Sequence, residues 1–478
     1  MKFKLLGILF STALFISACV DNDFTPEPEP PEEPEIEQEE PEVPEEPDDS
    51  VPPQPTGTLP VMYINVYAGD DKAEFNDEII DKDLDHKNYF NNAEYWIEVP
   101  DSLAAIYVNL KAIGSRNEPL SLQIKARGNF TRVAYSKKPY KIKLDKKQDL
   151  LGLTPGTSKH YCLLTHADDI HGYLNNFLMY RLGELVNMPW TPSQEPVELV
   201  VNGDYRGIYF LTETIRVEKD RINIAELKDN ETDPRLITGG YLIEIDNIPD
   251  DAVINIKELS CIPERNTGTL LITPHEPESY SEEQLKFVSS QFIEMNRLIG
   301  ENNDSIWNLL DLSDAVKYYL VNEIIGKIEA YDGSTYMCLD RGENEKWHFT
   351  ALWDGGTVFL GSDTDFFYND GRMINKWIPS LRANTLFNQR LGEEWNSFRL
   401  VNIQELTEEM LTFTEYVGIA AKADRSRWKN QPIPDNPSAV WSVSDNSKIE
   451  ERFEEAVERL LAKIAWLDIQ PDFNINAL

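Results

Sequence analysis

Two aspartates pose the first chemical question in this sequence. Asp332 lies in "EAYDGSTYM", a loop between a helical stretch and a strand. Asp354 closes the strand "KWHFTALWDGG" and is followed at once by two glycines. They are 22 positions apart, with the strands "STYMCLD" and "KWHFTALWD" filling the interval. A hairpin of two strands returns the chain to its origin, so the two carboxylates are expected near one another. Such a pair suits phosphoryl transfer: one carboxylate orients a substrate hydroxyl, and a second holds Mg²⁺ against phosphate oxygens. Two ordinary turn aspartates would give the same spacing.

A basic counterpart lies upstream. "RGNFTRVAYSKKPYKIKLDKK" carries Arg127, Arg132, Lys137, Lys138, Lys141 and Lys143. Lys141 and Lys143 alternate with Tyr140, Ile142 and Leu144, so they share one strand face. A lysine on that face could meet a phosphate and a carboxylate in a cleft; a solvated strand face is the plainer reading. In "HADDIH", His166 and His171 flank Asp168 and Asp169. Four such ligands could bind a metal, but a polar loop capping the next helix is the favoured reading. No G-x-x-x-x-G-K-[ST], G-x-G-x-x-G, H-E-x-x-H or G-x-S-x-G motif occurs.

The elements that must position these residues are mixed. Alternating β patterns run from "LPVMYINVYAG" through "KPYKIKLD". A helix is predicted over Gly172–Val186, where Leu174, Leu178, Leu182 and Val186 recur every four residues. Asn202-Gly203 between "PVELVV" and "YRGIYFLTETI" predicts a hairpin. "GGYLIEID" is another strand, residues 282–330 read as helical, and the last hundred residues are mostly helical. Strands first and helices later, with mixed connections, make an α+β chain with no domain break after residue 60.

The 478 residues carry a net charge of −38, which excludes nucleic acid as the main partner, since a phosphate backbone needs a basic surface. Residues 1–19 read as a signal peptide: Lys2 and Lys4, then an apolar Leu5–Ile16 too short to span a bilayer. "ISAC" resembles a bacterial lipobox with lipid on Cys19, and the acidic "VDNDF" resembles the surface-export signal of Bacteroidetes lipoproteins. The expected product is an exported outer-membrane lipoprotein at the cell surface, with the membrane as partner through Cys19. Residues 20–58 hold 15 acidic residues, no basic ones and 11 prolines. This composition predicts a disordered, extended linker, able to reach on the order of 120 Å at about 3.1 Å per residue. The folded region is then 59–478. Cys162, Cys261 and Cys338 are too few and odd in number for a disulfide framework and read as buried apolar residues.

Taken together, "IKARGNFTR", "KKPYKIKLD", "YLNNFLMYRLGE", "VELVVNGDYRGIYFLTETI", "GGYLIEID", "DGSTYM" and "WHFTALWDGG" resemble the CotH kinase family over residues 59–362, and "LFNQRL" and "RSRW" extend the likeness. The resemblance implies an atypical protein-kinase-like fold, β-rich first and helical later, that phosphorylates protein using ATP and Mg²⁺. By position it makes Asp332 the catalytic-loop aspartate and Asp354 the metal-binding aspartate. It implies a phosphate-facing Lys141 or Lys143 with Glu213 as ion-pair partner. Asn176 matches the helix-motif asparagine, Arg127 lies in the "RGN" block, and Glu244 lies on the strand leading to the adenine edge. Two departures stand out. Trp353-Asp354-Gly355-Gly356 lacks the second aspartate of the family's W-D-F-D-like motif, and Lys327 stands where asparagine is common. Both predict a weaker metal site. The alternative is a kinase-fold lipoprotein without catalysis that binds a protein or glycan at the surface. The protein substrate and oligomeric state are not legible.

Overall fold

The structure, a computed structural model, describes residues 53–67, 84, 88–107, 113–153, 156–166, 173–247, 252–256, 270–370, 377–428 and 449–473. Cys19, the linker up to residue 52, Asp168, Asp169, His171 and Cys261 lie outside them. Residues Pro53–Leu478 belong to one compact unit. Order begins ahead of Leu59: Thr56 donates through its backbone N and its hydroxyl to the buried carboxylate of Glu198, at 2.9 Å each to one oxygen.

The first seven strands close into a barrel. They are β1 (Val61–Val66), β2 (Phe90–Glu98), β3 (Leu120–Ala126), β4 (Tyr140–Gln148), β5 (Ser158–Leu164), β6 (Gln194–Val201) and β7 (Asp204–Glu213), in the order β1-β2-β3-β4-β5-β7-β6. Neighbours are antiparallel except β1 and β6, whose parallel pairing closes the ring. Alternation fills the interior with Ile64, Tyr95, Leu122, Ile142, Leu163, Leu199 and Leu211. The residues between face outward, which puts Lys125, Lys141 and Cys162 in one cross-strand row and Lys143 beside His160. The predicted hairpin forms, with φ of 49° at Asn202 and 82° at Gly203, both positive as a two-residue turn of this kind requires.

A second, antiparallel sheet contains β8 (Tyr241–Ile245), β9 (Ile254–Ile256), β10 (Leu270–Glu276), β11 (Thr335–Leu339) and β12 (Trp347–Ala351), in the order β12-β11-β8-β10-β9. The helices are α1 (Phe130–Ala134), α2 (Leu174–Leu185), α3 (Glu282–Gly300), α4 (Leu312–Ile324), α5 (Ile378–Leu381), α6 (Thr385–Phe398), α7 (Ile403–Trp428) and α8 (Ile449–Asp468). Helix α2 spans nearly the predicted stretch and is buried almost all round, so it threads the core instead of lying on it. Outward residues of the barrel, Leu164, Ile208 and Phe210, join α2, the second sheet and the C-terminal helices in one continuous apolar core.

The fold is α+β, with a β-rich beginning and a helical end. Its first half is a closed seven-stranded barrel, which the sequence reading did not anticipate. Strand alternation tells which face is buried, not which strand is its neighbour, so closure through β1 and β6 left no mark in the pattern. Strands β11 and β12 also follow two long helices, so the order is not strands first and helices later throughout. Among the described residues no helix is long and apolar enough to cross a membrane.

Helix α7 is pinned to the barrel by a buried charge. Asp424 accepts from Lys137 Nζ at 2.5 Å, from Ile208 N at 3.0 Å and from the Tyr173 hydroxyl. It fits because residue 207 is glycine at φ 79°; a Cβ there would lie 1.8 Å from Asp424 Oδ1. Removing one partner of a buried pair strands the other charge. Asp424→Ala is therefore expected to lower unfolding free energy in urea by about 3–5 kcal/mol; a loss below about 1 kcal/mol would contradict this account of the α7 anchor.

Candidate functional site

A cavity of about 640 Å³ lies where the β3 end of the barrel, the N-terminus of α2, the second sheet and the turn after β12 meet. Glu244, Asp246, Glu329 and Asp354 line it together with Arg127 and Asn176. Glu244 and Asp246 are two apart at the end of β8 and face the same way, with Glu244 opposite Tyr336 of β11 and Thr273 of β10. Glu329 comes from the loop after α4.

These carboxyls repel one another. Burial first, then the charge of Asp246, pushes Glu244 up to about 8. Burial and then Asp354 push Glu329 up to about 7, with Asp332 adding and Lys327 opposing. Asp246 is also raised, mainly by burial, with Asp354 and Asp332 contributing. Asp332 and Asp354 thus act on the same carboxyls, as the hairpin predicted, and belong to one cluster. Asp332 itself is not in the cavity lining, whereas its neighbours Glu329, Gly333 and Ser334 are. A buried cation faces the cluster: Lys327 is 1% exposed. Its ammonium is lowered by burial, against the favourable charges of Asp354, Glu329 and Glu244.

The turn that carries Asp354 is clamped on three sides. Lys327 Nζ donates to the Trp353 carbonyl at 2.6 Å. Gly355 N donates to Asn176 Oδ1 at 2.7 Å, and Asn175 Nδ2 donates to the Gly355 carbonyl at 3.0 Å. Between these holds, Asp354 sits at φ 57°, left-handed and uncommon for a residue with a Cβ, and its side chain is exposed to the cavity mouth. Ser334, which lines the same cavity, is also left-handed at φ 47°, and Tyr331 in the same loop is at φ 68°. Arg127 completes the wall, its guanidinium 5.5 Å from the ring centre of Trp353.

The remaining predicted residues lie apart. Lys141 and Lys143 are on the outer barrel face and do not line the cavity. Lys141 acts on it at a distance: its ammonium is lowered, first by burial and also by Lys125, Arg216 and Arg127, and its charge bears on the cavity residue His275. Glu213 does not join these lysines as expected. It pairs with Tyr161, an interior barrel residue, so it faces the opposite side of the sheet from Lys141 and Lys143. There Arg221 Nε approaches it at 3.3 Å and Ser193 N donates to it at 3.0 Å. The predicted capping role of the "HADDIH" loop also differs: the N-cap of α2 is Tyr173, with no side-chain cap, and His166 instead bonds Asn176. Cys162 and Cys338 are buried free thiols.

Sequence reading missed Glu329 and Asp246. Both were within stretches already singled out: Glu329 three residues before Asp332, and Asp246 two after Glu244 on one strand face. The donor set is hard oxygen, which suits Mg²⁺, and the raised carboxyls reflect their burial first and their like-charged neighbours second. The carboxylates are spread widely. Among the described residues the one set of three acidic or imidazole ligand atoms within 4.8 Å of each other is Asp311, Asp314 and His348, none of which lines the cavity. Mg²⁺ commonly binds through one or two carboxylates plus phosphate and water, and the cavity fits that mode.

A family model described as CotH kinase protein matches residues 124–464, well over half of the chain and the whole of this site. No protein of curated function matches the chain.

The raised carboxyls give a pH dependence. Glu244 and Glu329 bind protons more tightly folded than unfolded, so the folded chain carries the extra protons between their ordinary and raised values. Unfolding free energy is therefore expected to fall as pH rises from about 5 to 8. Glu244→Gln is expected to flatten that fall in chemical denaturation, and an unchanged slope would contradict the assignment. Gly355→Ala would put a Cβ 2.3 Å from Asn176 Oδ1 and is expected to cost about 1–3 kcal/mol in the same measurement.

Proposed function

The chain belongs to the CotH kinase protein family, and from that footing we propose that it is a phosphotransferase moving the γ-phosphoryl group of ATP to Ser or Thr hydroxyls of exported proteins. The observation that carries this reading is the convergence of Glu244, Asp246, Glu329 and Asp354 with Arg127 on one cavity. Burial first, and neighbouring carboxylates after it, raise Glu244 and Glu329, and a divalent cation with its phosphates is a partner that such a set of hard oxygens suits.

In this reading Asp354 and Asp246 supply the metal-facing carboxylates, with Glu244 beside them. Bound Mg²⁺ would supply charge neutralisation for the phosphates. Arg127 orients the phosphate tail from the barrel side, and Lys141 adds field from the outer strand face. The Glu329 carboxyl, raised to about 7, is tuned to take the proton of the acceptor hydroxyl at neutral pH. Asp332, whose N–H donates to the Glu329 carbonyl at 3.1 Å, keeps that carboxyl's basicity up through its own charge. The lipid on Cys19 and the acidic linker would hold the folded unit out from the outer membrane, within reach of surface and exported substrates.

One observation favours the non-catalytic reading. The charge of Lys327 already acts on Asp354, Glu329 and Glu244, so the cluster carries part of its own countercharge. A surface module that binds a protein or glycan would need no more.

The two readings part on nucleotide. Purified protein is expected to show a raised Tm with millimolar ATP and MgCl₂, and stabilisation of about 2.7 kcal/mol when ligand is 100 times its Kd. Asp354→Ala is expected to abolish the shift. Transfer of labelled phosphate to a casein-like acceptor is expected to fall by about 10²–10⁴-fold in Glu329→Gln. No shift with any nucleotide at millimolar concentration would favour the binding module.

A further inference from the structure

His166 belongs to none of the roles above, yet it is built into the site. It lines the cavity, is 8% exposed, and takes a left-handed backbone at φ 49°. Its ring lies 4.2 Å from that of Phe210, tilted across it. Histidine is among the side chains found more often than most in that backbone region.

Its bond is to Asn176, at 3.1 Å between Nε2 and the amide Nδ2. The direction of that bond follows from the rest of the chain. Asn176 Oδ1 is committed to the N–H of Gly355 at 2.7 Å, so the group turned toward His166 is the NH₂. Nε2 must then accept, which places the imidazole proton on Nδ1. The N–H of Gly355 thus sets which way the Asn176 amide points, and the histidine holds the amide in that orientation from its other side. A rotated amide would set its NH₂ against the N–H of Gly355, two donors face to face, and release the turn.

We propose that His166 is a positioning residue that sets the carboxylate of Asp354, acting through Asn176 and the N–H of Gly355. This rests on Asp354 being the metal-facing carboxylate. The sequence Nε2, amide, Gly355 N–H, Asp354 backbone is the arrangement by which outer hydrogen bonds orient a metal ligand, whose removal costs about 10–100-fold in metal affinity. The neighbouring hold of Asn175 on the Gly355 carbonyl keeps the turn in place, and His166 decides how sharply it is aimed.

The test has two arms. Hydrogen exchange of the metal-free protein, read on peptides covering residues 352–358, is expected to accelerate at least about 10-fold in His166→Ala while peptides from β6 and β7 keep wild-type protection. Titration with MgCl₂ at saturating ATP, followed by calorimetry, is expected to need about 10–100-fold more metal in His166→Ala, with kcat at saturating metal little changed. His166→Gln, which keeps an acceptor, is expected to recover most of both. Asn176→Asp also keeps an acceptor for Gly355 and lets Nε2 donate instead, so it is expected to retain slow exchange. Exchange at 352–358 unchanged in His166→Ala, or raised equally in β6 and β7, would overturn the proposal. So would an equal loss in His166→Gln. A wild-type protein that binds no Mg²⁺ with ATP, but shows the local exchange response, would sink the kinase reading and leave the positioning chain standing.

Discussion

Crowded negative charge is the constraint around which this structure is organised. Glu244, Asp246, Glu329, Asp332 and Asp354 act on one another across one cavity. Bringing carboxylates together in a partly buried place costs free energy through desolvation and like-charge repulsion. Two of the carboxyls, Glu244 and Glu329, are raised by burial and then by their neighbours, and the charge of one buried lysine, Lys327, bears on three of the acids. The neighbouring turn at Asp354, strained and clamped by three side-chain hydrogen bonds, can persist because packed elements on every side over-determine it.

Those elements explain the large scaffold. The barrel commits its interior face to a core of its own, the second sheet is buried at nearly every position of β8, β11 and β12, and the core that the two share runs through α2. Because α2 is buried almost all round, its first turn cannot move independently of the two sheets. Its consecutive asparagines can therefore hold both sides of the Gly355 peptide. Asparagine is poorly suited to a helix interior, where its amide competes for backbone partners; here, in the first turn, that tendency is directed at another segment. The barrel brings Arg127 to the opposite wall, and the second sheet brings Glu244 and Asp246.

Much of this was legible as local pattern. Asn202-Gly203 announced its hairpin, the four-residue spacing announced α2, and the interval from Asp332 to Asp354 announced that the two would act on common ground. What was not legible depended on which strands become neighbours. The parallel closure of β1 on β6 joins segments far apart in sequence, and no alternation rule names that partner. Glu213 was misassigned for a related reason. Its type and neighbourhood suited an ion pair with Lys141 or Lys143, but register decides the face, and register turned it toward Arg221 inside the barrel. Glu329 was overlooked because a helix-to-strand loop has no periodicity from which to infer facing.

The two departures from the family pattern, Lys327 and the Gly355-Gly356 pair, are better understood together than one by one. Taken singly, the resemblance would make each the loss of a ligand, an amide oxygen at 327 and a carboxylate at 356. In the structure they meet at one turn. Lys327 grips the carbonyl before Asp354, and Gly355 after it admits the Asn176 amide so closely that no Cβ would fit. One N–H of Lys327 is committed to a backbone oxygen, and its charge bears on three acids. Losing an acidic side chain at 356 lowers the repulsion that this single ammonium must offset. Glu329 and Asp246, which line the same cavity, restore the carboxylate count from other elements. Both positions therefore bear on one turn of this chain, Lys327 through the Trp353 carbonyl and Gly355 through Asn176.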